Sequence, residues 1–362
     1  MRWLGRLRYA VVIALLGGVL AVIYHYSRQS TVFGDSVPVM YLQNTGLYTD
    51  FAAKTIDPQN LAYAPQYPLW SDGAVKKRWI HLPPGKSIDA SDPDVWNFPA
   101  GTKIWKEFSF NGKRVETRLI EALGGDRWNF ATYVWSTDED IAALAPPEGL
   151  KNAAIILPGV YHDIPSVKDC RACHVGKRTE ILGFSALQLS ADRDPDAVHA
   201  EPMQATMVDL DFLIRRNFLR AAPNSRWEKP PRIKARTATE RAVLGYLHAN
   251  CGNCHNPNNN LGTANMQLRH LTRMATAEEP AVTTTVNRPA GHYRLPNRAT
   301  DSYLILPGDP DGSALLFRME TRNPYRQMPP LGTKLVDTDA AKLIRRWTLE
   351  DLPQEKSDAP NG

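Results

Sequence analysis

Cysteine is scarce in this chain: there are four among 362 residues, and all four lie in two copies of one pattern, Cys170-Arg171-Ala172-Cys173-His174 and Cys251-Gly252-Asn253-Cys254-His255. With every cysteine in these pairs, none is left for a structural disulfide, and stability must come from packing and from whatever the pairs bind. Long hydrophobic runs are as few. Apart from one near the N-terminus, no stretch is long and apolar enough to suggest a membrane span. Charge of neither sign dominates, since 43 Lys and Arg face 38 Asp and Glu, a formal +5. Three of those cations, Arg2, Arg6 and Arg8, belong to the N-terminal segment, so nothing in the body calls for a nucleic-acid partner. A 43% hydrophobic content suits a globular body, and 362 residues suffice for two domains with cores of their own.

Two thiols separated by two residues and followed at once by an imidazole form the attachment pattern of c-type haem. Each thiol makes a thioether to a vinyl group, and the histidine becomes the proximal ligand of the iron. The pattern predicts two covalently attached c-type haems, one on Cys170, Cys173 and His174, the other on Cys251, Cys254 and His255. Two other chemistries use such pairs. A four-thiolate zinc site is disfavoured by the 77 residues numbered 174–250, far beyond ribbon spacing, and by a histidine that zinc does not need. A thioredoxin-like couple is disfavoured because neither pair opens a helix after a strand in a βαβ context.

Covalent haem attachment takes place outside the bacterial inner membrane, so the reading requires an export signal. Arg2, Arg6 and Arg8 precede an uncharged apolar run at 9–23, which suits a secretory signal at residues 1–30. No Ala-x-Ala cleavage site follows. The run leaves through Tyr24-His25-Tyr26, an interfacial-belt composition, so an uncleaved inner-membrane anchor and a removed signal are both expected forms. Either places the body in the periplasm. Four propionates from two haems would bring that body near neutrality.

Residues 37–165 read as strands. Short β-branched and aromatic runs at 77–82, 102–110, 114–123 and 128–135 are divided by turn signals, and Asn111-Gly112 between two of them is a hairpin signal. Six of the nine tryptophans fall here, at 70, 79, 96, 105, 128 and 135, as core of an antiparallel sheet. From 166 the period changes. Met207, Leu210, Ile214 and Phe218 predict a helix over 206–221 in a first haem-binding segment, 166–223, and a polar linker follows at 224–236. Thr237-Ala238-Thr239-Glu240 has capping-box form and opens a helix that runs into Cys251, with Gly245 allowing close helix approach. Ala340, Leu343, Ile344 and Trp347 predict a last helix, and the tail at 353–362 is polar. Helix, haem motif and final helix over 237–352 follow the order of a class I cytochrome c fold. The expected fold class is thus α+β multidomain: a β-sandwich-like N-terminal domain followed by an α-helical, cytochrome c-like domain or domains.

The second haem's sixth ligand is expected to be Met328, in Gln327-Met328-Pro329-Pro330-Leu331-Gly332, where prolines fix the loop. Met319 reads as core. For the first haem the spacing leaves His162, His199, Met203, Met207, His81 and an open position as alternatives.

Tyr67-Pro68-Leu69-Trp70-Ser71-Asp72-Gly73-Ala74, Arg114-Val115-Glu116-Thr117-Arg118-Leu119, Tyr246-Leu247-His248-Ala249-Asn250, Pro307-Gly308-Asp309-Pro310 and Met328-Pro329-Pro330-Leu331-Gly332 together resemble a family of exported bacterial dihaem c-type cytochromes. The likeness covers most of 40–350 and implies periplasmic electron transfer with redox partner proteins, with no assigned substrate. Three functional readings follow: a dihaem carrier of single electrons; a dihaem oxidoreductase, peroxidase-like or substrate-oxidising, with an open first haem beside the β-region; and a structural or sensing module. No residue offers itself as a catalytic acid or base.

Overall fold

The structure, a computed structural model, describes residues 37–125, 127–174, 181–220, 229–257, 265–272, 279–291, 293–296, 298 and 302–353. The apolar run at 9–23 and the tail beyond Pro353 lie outside these residues, and no helix among them is long and apolar enough to cross a membrane. The strands are β1 (Tyr48–Asp50), β2 (Thr55–Ile56), β3 (Leu61–Ala62), β4 (Val75–His81), β5 (Ile88–Asp92), β6 (Val95–Asn97), β7 (Lys103–Phe110), β8 (Lys113–Gly124), β9 (Arg127–Trp135), β10 (Ala142–Leu144), β11 (Leu150–Leu157), β12 (Val160–Ile164) and β13 (Leu219–Arg220). The helices are α1 (Val167–His174), α2 (Leu210–Arg215), α3 (Ala238–Asn250), α4 (Pro280–Thr283), α5 (Ala314–Glu320) and α6 (Thr338–Arg346).

One six-stranded antiparallel sheet, ordered β10-β9-β8-β7-β4-β3, dominates. Its β7–β8 hairpin turns at Asn111 and Gly112, both at positive φ (52° and 78°), as a two-residue turn with the twist of the strands requires. Because strand side chains alternate, the register gives the sheet two different faces. On one face Trp79, Trp105, Leu119 and Ala131 lie in one rung and join Tyr133 and Trp135 beneath Leu42, Leu47 and Tyr48. Burying an apolar side chain in such a layer contributes roughly 1.5–3 kcal/mol. The other face has an apolar rung, Ile80-Ile104-Ile120-Phe130, next to a charged one, Arg78-Lys106-Arg118. That second face looks toward the cysteine motifs.

The expected succession of a β-sandwich-like domain and an α-helical cytochrome c-like domain is not what the chain forms. An N-terminal β-region exists, but taken over all its described residues the chain is β-rich, its named strands lying between Tyr48 and Arg220, with six short helices, the longest of 13 residues. The remaining strands form small sheets, β1-β2, β11-β12 and β13-β5-β6. Two physical reasons account for the difference. The predicted helix at 206–221 stops after Arg215, because Asn217 adopts φ 55° and the chain then pairs as β13 in parallel with β5, giving its apolar residues to the sheet core. Further on, the described residues of the segment from 251 to 337 form only one-turn and two-turn helices, and its partners include residues of the N-terminal half.

The loop between β3 and β4 supplies those partners. The Tyr67 ring lies where a Cβ at Gly245 would be, so the close approach allowed by that glycine is to the β-region and not to another helix. Trp70 donates its backbone N–H to Asn250 Oδ1 at 2.7 Å, and the Asp72 carboxylate accepts the backbone N–H groups of Lys334 and Leu335 at 2.9 Å each. Arg269 and Thr272 both bond to Asp94. Within this shared core α3 packs on α6. Thr237 Oγ1 caps α3 by accepting from Glu240 N–H at 3.0 Å, and the Glu240 carboxylate accepts from Trp347 Nε1 at 3.0 Å.

Candidate functional site

The first motif is itself helical. In α1, Cys170, Cys173 and His174 stand at i, i+3 and i+4 and so share one face of the helix. That helix lies on β9, with Val167 against Phe130, and Cys170 joins the same cluster. The His174 ring stands 5.8 Å from the Phe130 ring. The second motif starts as α3 ends. His255 N–H and Cys254 N–H both bond to the Cys251 carbonyl, at 2.9 and 3.1 Å, so Cys251, Cys254 and His255 repeat the i, i+3, i+4 arrangement in a single turn. Gly252 is required there: a Cβ would stand 2.7 Å from the His248 carbonyl oxygen and 2.9 Å from the Arg269 Cα.

Spacing in sequence gave no sign that the two motifs meet. Cys251 follows Cys170 by 81 positions (251 minus 170), yet the Asn253 side-chain amide donates to the Cys173 carbonyl. All four thiols are free. Burial pushes the Cys170 thiol up to about 11 and Cys251 up to about 12, and raises Cys173, to which Cys254 adds repulsion. Among the described residues no three His, Cys, Asp or Glu side chains converge on a point that could hold a metal ion.

His255 is held neutral by burial, and repulsion from Arg318 adds to this. The same Arg318 accepts, through its carbonyl, the Met328 N–H at 2.7 Å. Met328 is half-buried, and Arg322 Nη2 approaches its carbonyl at 3.4 Å. Met319 is buried in the shared core.

The residues expected as alternatives for the first haem's distal ligand have the following surroundings. His162 is buried with Nε2 2.9 Å from a Glu116 carboxylate oxygen, and His199 has Nε2 2.9 Å from Asp337 Oδ1 while its ring lies on Trp70. Met207 bridges in parallel to Ala62, Met203 is half-buried in a loop, and His81 ends β4. The histidine that lines the cleft beside Asn253 is His248, three positions before Cys251, a member of the Tyr246-Leu247-His248-Ala249-Asn250 motif to which the sequence alone assigned no role. Its Nδ1 accepts the His270 backbone N–H at 3.2 Å, which leaves the ring proton on Nε2, and burial keeps the ring neutral.

Between the charged face of the sheet and the end of α3 opens a cleft of about 640 Å³, counted out to solvent, with Arg78, Lys106, Leu182, His248, Asn253 and Arg269 among its walls. Arg78 is 3% exposed and bonded through Nη1 to Glu201 at 2.7 Å, but its buried Nη2 has no hydrogen-bond partner among the described residues. Arg118 pairs with Glu116, whose carboxyl is held down at about 2; burial opposes that shift, and Arg118 and His162 outweigh it.

Compared with protein-family models, with curated proteins and with solved structures, the chain matches none. The residues present fit a c-type haem on three counts. Each motif groups two thiols and an imidazole on one face of a turn, Asn253 of the second motif, bonded to the Cys173 carbonyl, lines a cleft with apolar and polar walls, and Arg78, whose buried Nη2 has no partner among the described residues, lines the same cleft.

Proposed function

We propose that this chain is an exported dihaem c-type cytochrome that carries single electrons between redox partner proteins of the periplasm. Cys170 and Cys173 would form the thioethers of one haem with His174 beneath its iron, and Cys251, Cys254 and His255 those of the other, with Met328 as sixth ligand. Each group, when bound, supplies a one-electron ferric/ferrous couple. The observation that carries the reading is the Asn253 bond to the Cys173 carbonyl, because it sets two attachment motifs side by side, as a pair of electron carriers requires. The chain's own part is to hold each imidazole, to limit water at the half-buried motif faces and to fix the Met328 loop through Arg318.

The test is covalent attachment. Exported from a host with cytochrome c maturation, the protein should gain the mass of two haems and keep its colour through acid-acetone extraction, and Cys254→Ser should weaken only the second site. A protein with no retained haem would end the reading.

A second reading has one observation in its favour: His162 and His199 are committed to carboxylates, and His248 has its proton on Nε2. This supports a first haem open on its distal side and a dihaem oxidoreductase. Such a protein would show a high-spin signal by electron paramagnetic resonance and rapid cyanide binding. A purely low-spin oxidised protein would exclude it.

A further inference from the structure

Cross-strand neighbours of like charge repel, and burial makes the repulsion worse. The sheet nevertheless places three cations in one rung: Arg78 stands opposite Lys106, and Lys106 opposite Arg118, with Lys76 on the same face one rung away. The two outer guanidiniums have carboxylates of their own, Glu201 for Arg78 at 2.7 Å and Glu116 for Arg118. Lys76 donates to the Leu69 carbonyl at 2.6 Å. Lys106, between them, has among the described residues only the Phe108 ring, 4.9 Å from its Nζ. Beside it the Arg78 Nη2 is buried and unpartnered. Two donor groups without an acceptor, in the middle of four cations and two carboxylates, line the wall of a cleft whose other side is Asn253 of the second cysteine motif.

We propose that Lys106 Nζ and Arg78 Nη2 form a binding site for one carboxylate or similar oxyanion within this cleft. An anion there would receive two charge-assisted hydrogen bonds from groups already held by the sheet, so little ordering is required of the protein. The apparent alternative, a neutral amine, is the direction in which burial and the flanking cations push Lys106 when nothing is bound. That leaves the Arg78 N–H unsatisfied, whereas an anion answers both. The chemistry has two sources: a propionate of a haem held by the adjoining motifs, which rests on the function proposed above, and a free carboxylate or phosphate, which does not.

The experiment uses the full-length matured chain, Lys106→Met and Lys106→Arg, with haem content by mass, midpoint potentials, and thermal midpoints in chloride against added acetate, succinate or phosphate. If a propionate occupies the site, haem is retained, Lys106→Met lowers one potential by about the equivalent of a tenfold change in the oxidised-to-reduced ratio, near 59 mV for one electron, and added anions change nothing. Lys106→Arg keeps the original potential. If a free anion occupies it, the thermal midpoint of the parent rises with the anion whether or not haem is found, and Lys106→Met abolishes the rise while Lys106→Arg retains it. The proposal is overturned if Lys106→Met folds, raises the thermal midpoint by relieving the rung, and alters neither a potential nor any anion dependence. Loss of haem together with an intact anion response would refute the haem reading and leave the site standing.

Discussion

Replacing Gly245 by alanine puts the central packing contact of the molecule to a signed test. In an exposed helix interior this substitution stabilises by about 0.8–1.0 kcal/mol, since alanine is the better helix former. At Gly245 the new methyl would overlap the Tyr67 ring, which cannot swing aside freely because its hydroxyl donates to the buried Asp194 carboxylate at 3.0 Å and Arg241 stands 3.8 Å from that same carboxylate. Overpacking costs about 1–3 kcal/mol, and breaking a hydrogen bond to a charged group about 1.5–3, so after subtracting the helix gain Gly245→Ala should destabilise by roughly 1.5–5 kcal/mol. Urea denaturation of the full chain, followed by fluorescence and circular dichroism, reads this directly. The same change made in a Tyr67→Ala background meets open space and should then stabilise by about 1 kcal/mol. A Gly245→Ala effect of the same sign and size in both backgrounds would refute the contact between the β3–β4 loop and the helix.

Met328→Ala should abolish the weak near-infrared sulfur-to-iron band of the oxidised protein and lower one midpoint potential; an unchanged band would assign that ligand elsewhere. Thr237→Ala, which removes the hydroxyl that accepts Glu240 N–H, should cost about 1 kcal/mol by denaturation, and no loss would mean the cap is satisfied by other groups. Glu116 titrates in the folded protein at about 2 against an ordinary 4.5, so its contribution is complete above about pH 5 and is lost as pH falls from 4.5 toward 2. Glu116→Gln should therefore be less stable than the parent at pH 7 and close to it at pH 2.5, and a difference that is constant across that window would remove the carboxylate from the account.

What could be read along the chain was local chemistry. The two motifs, the Asn111-Gly112 turn, the Thr237 cap and the helix now seen at Thr338–Arg346 all rest on residues within a few positions of one another. The helix expected at 206–221 failed because its apolar period was also satisfied by a short helix, a left-handed Asn217 and a parallel strand, and only the presence of β5 decides between them. The separate helical domain failed for a related reason. Gly245 announces that something comes close, but not that the partner is Tyr67, 178 positions earlier (245 minus 67). The cationic rung has the same character, since Arg78, Lys106 and Arg118 are ordinary strand residues until the register sets them side by side.

The adjoining of the motifs also reopens the one alternative that sequence distance had counted against. Two Cys-x-x-Cys pairs brought together by the fold are the raw material of a four-thiolate zinc site, and 81 positions of separation (251 minus 170) are no obstacle once Asn253 bonds to the Cys173 carbonyl. Two observations bear on the choice. Among the described residues no three His, Cys, Asp or Glu side chains converge on one point, whereas a four-thiolate site needs its sulfurs aimed at a single centre. Each pair is also followed at once by a histidine on the same turn, a residue that a four-thiolate site does not use and that the haem reading proposed above does. Chain made without haem maturation and exposed to one equivalent of zinc at neutral pH should accordingly bind it weakly and with little proton release, as read with a chromophoric chelator. Cobalt substitution should give no intense thiolate charge-transfer band. One tightly held zinc per chain, with that band in the cobalt form and its loss in Cys173→Ser or Cys254→Ser, would sink the haem assignment and make the two pairs a single structural metal site.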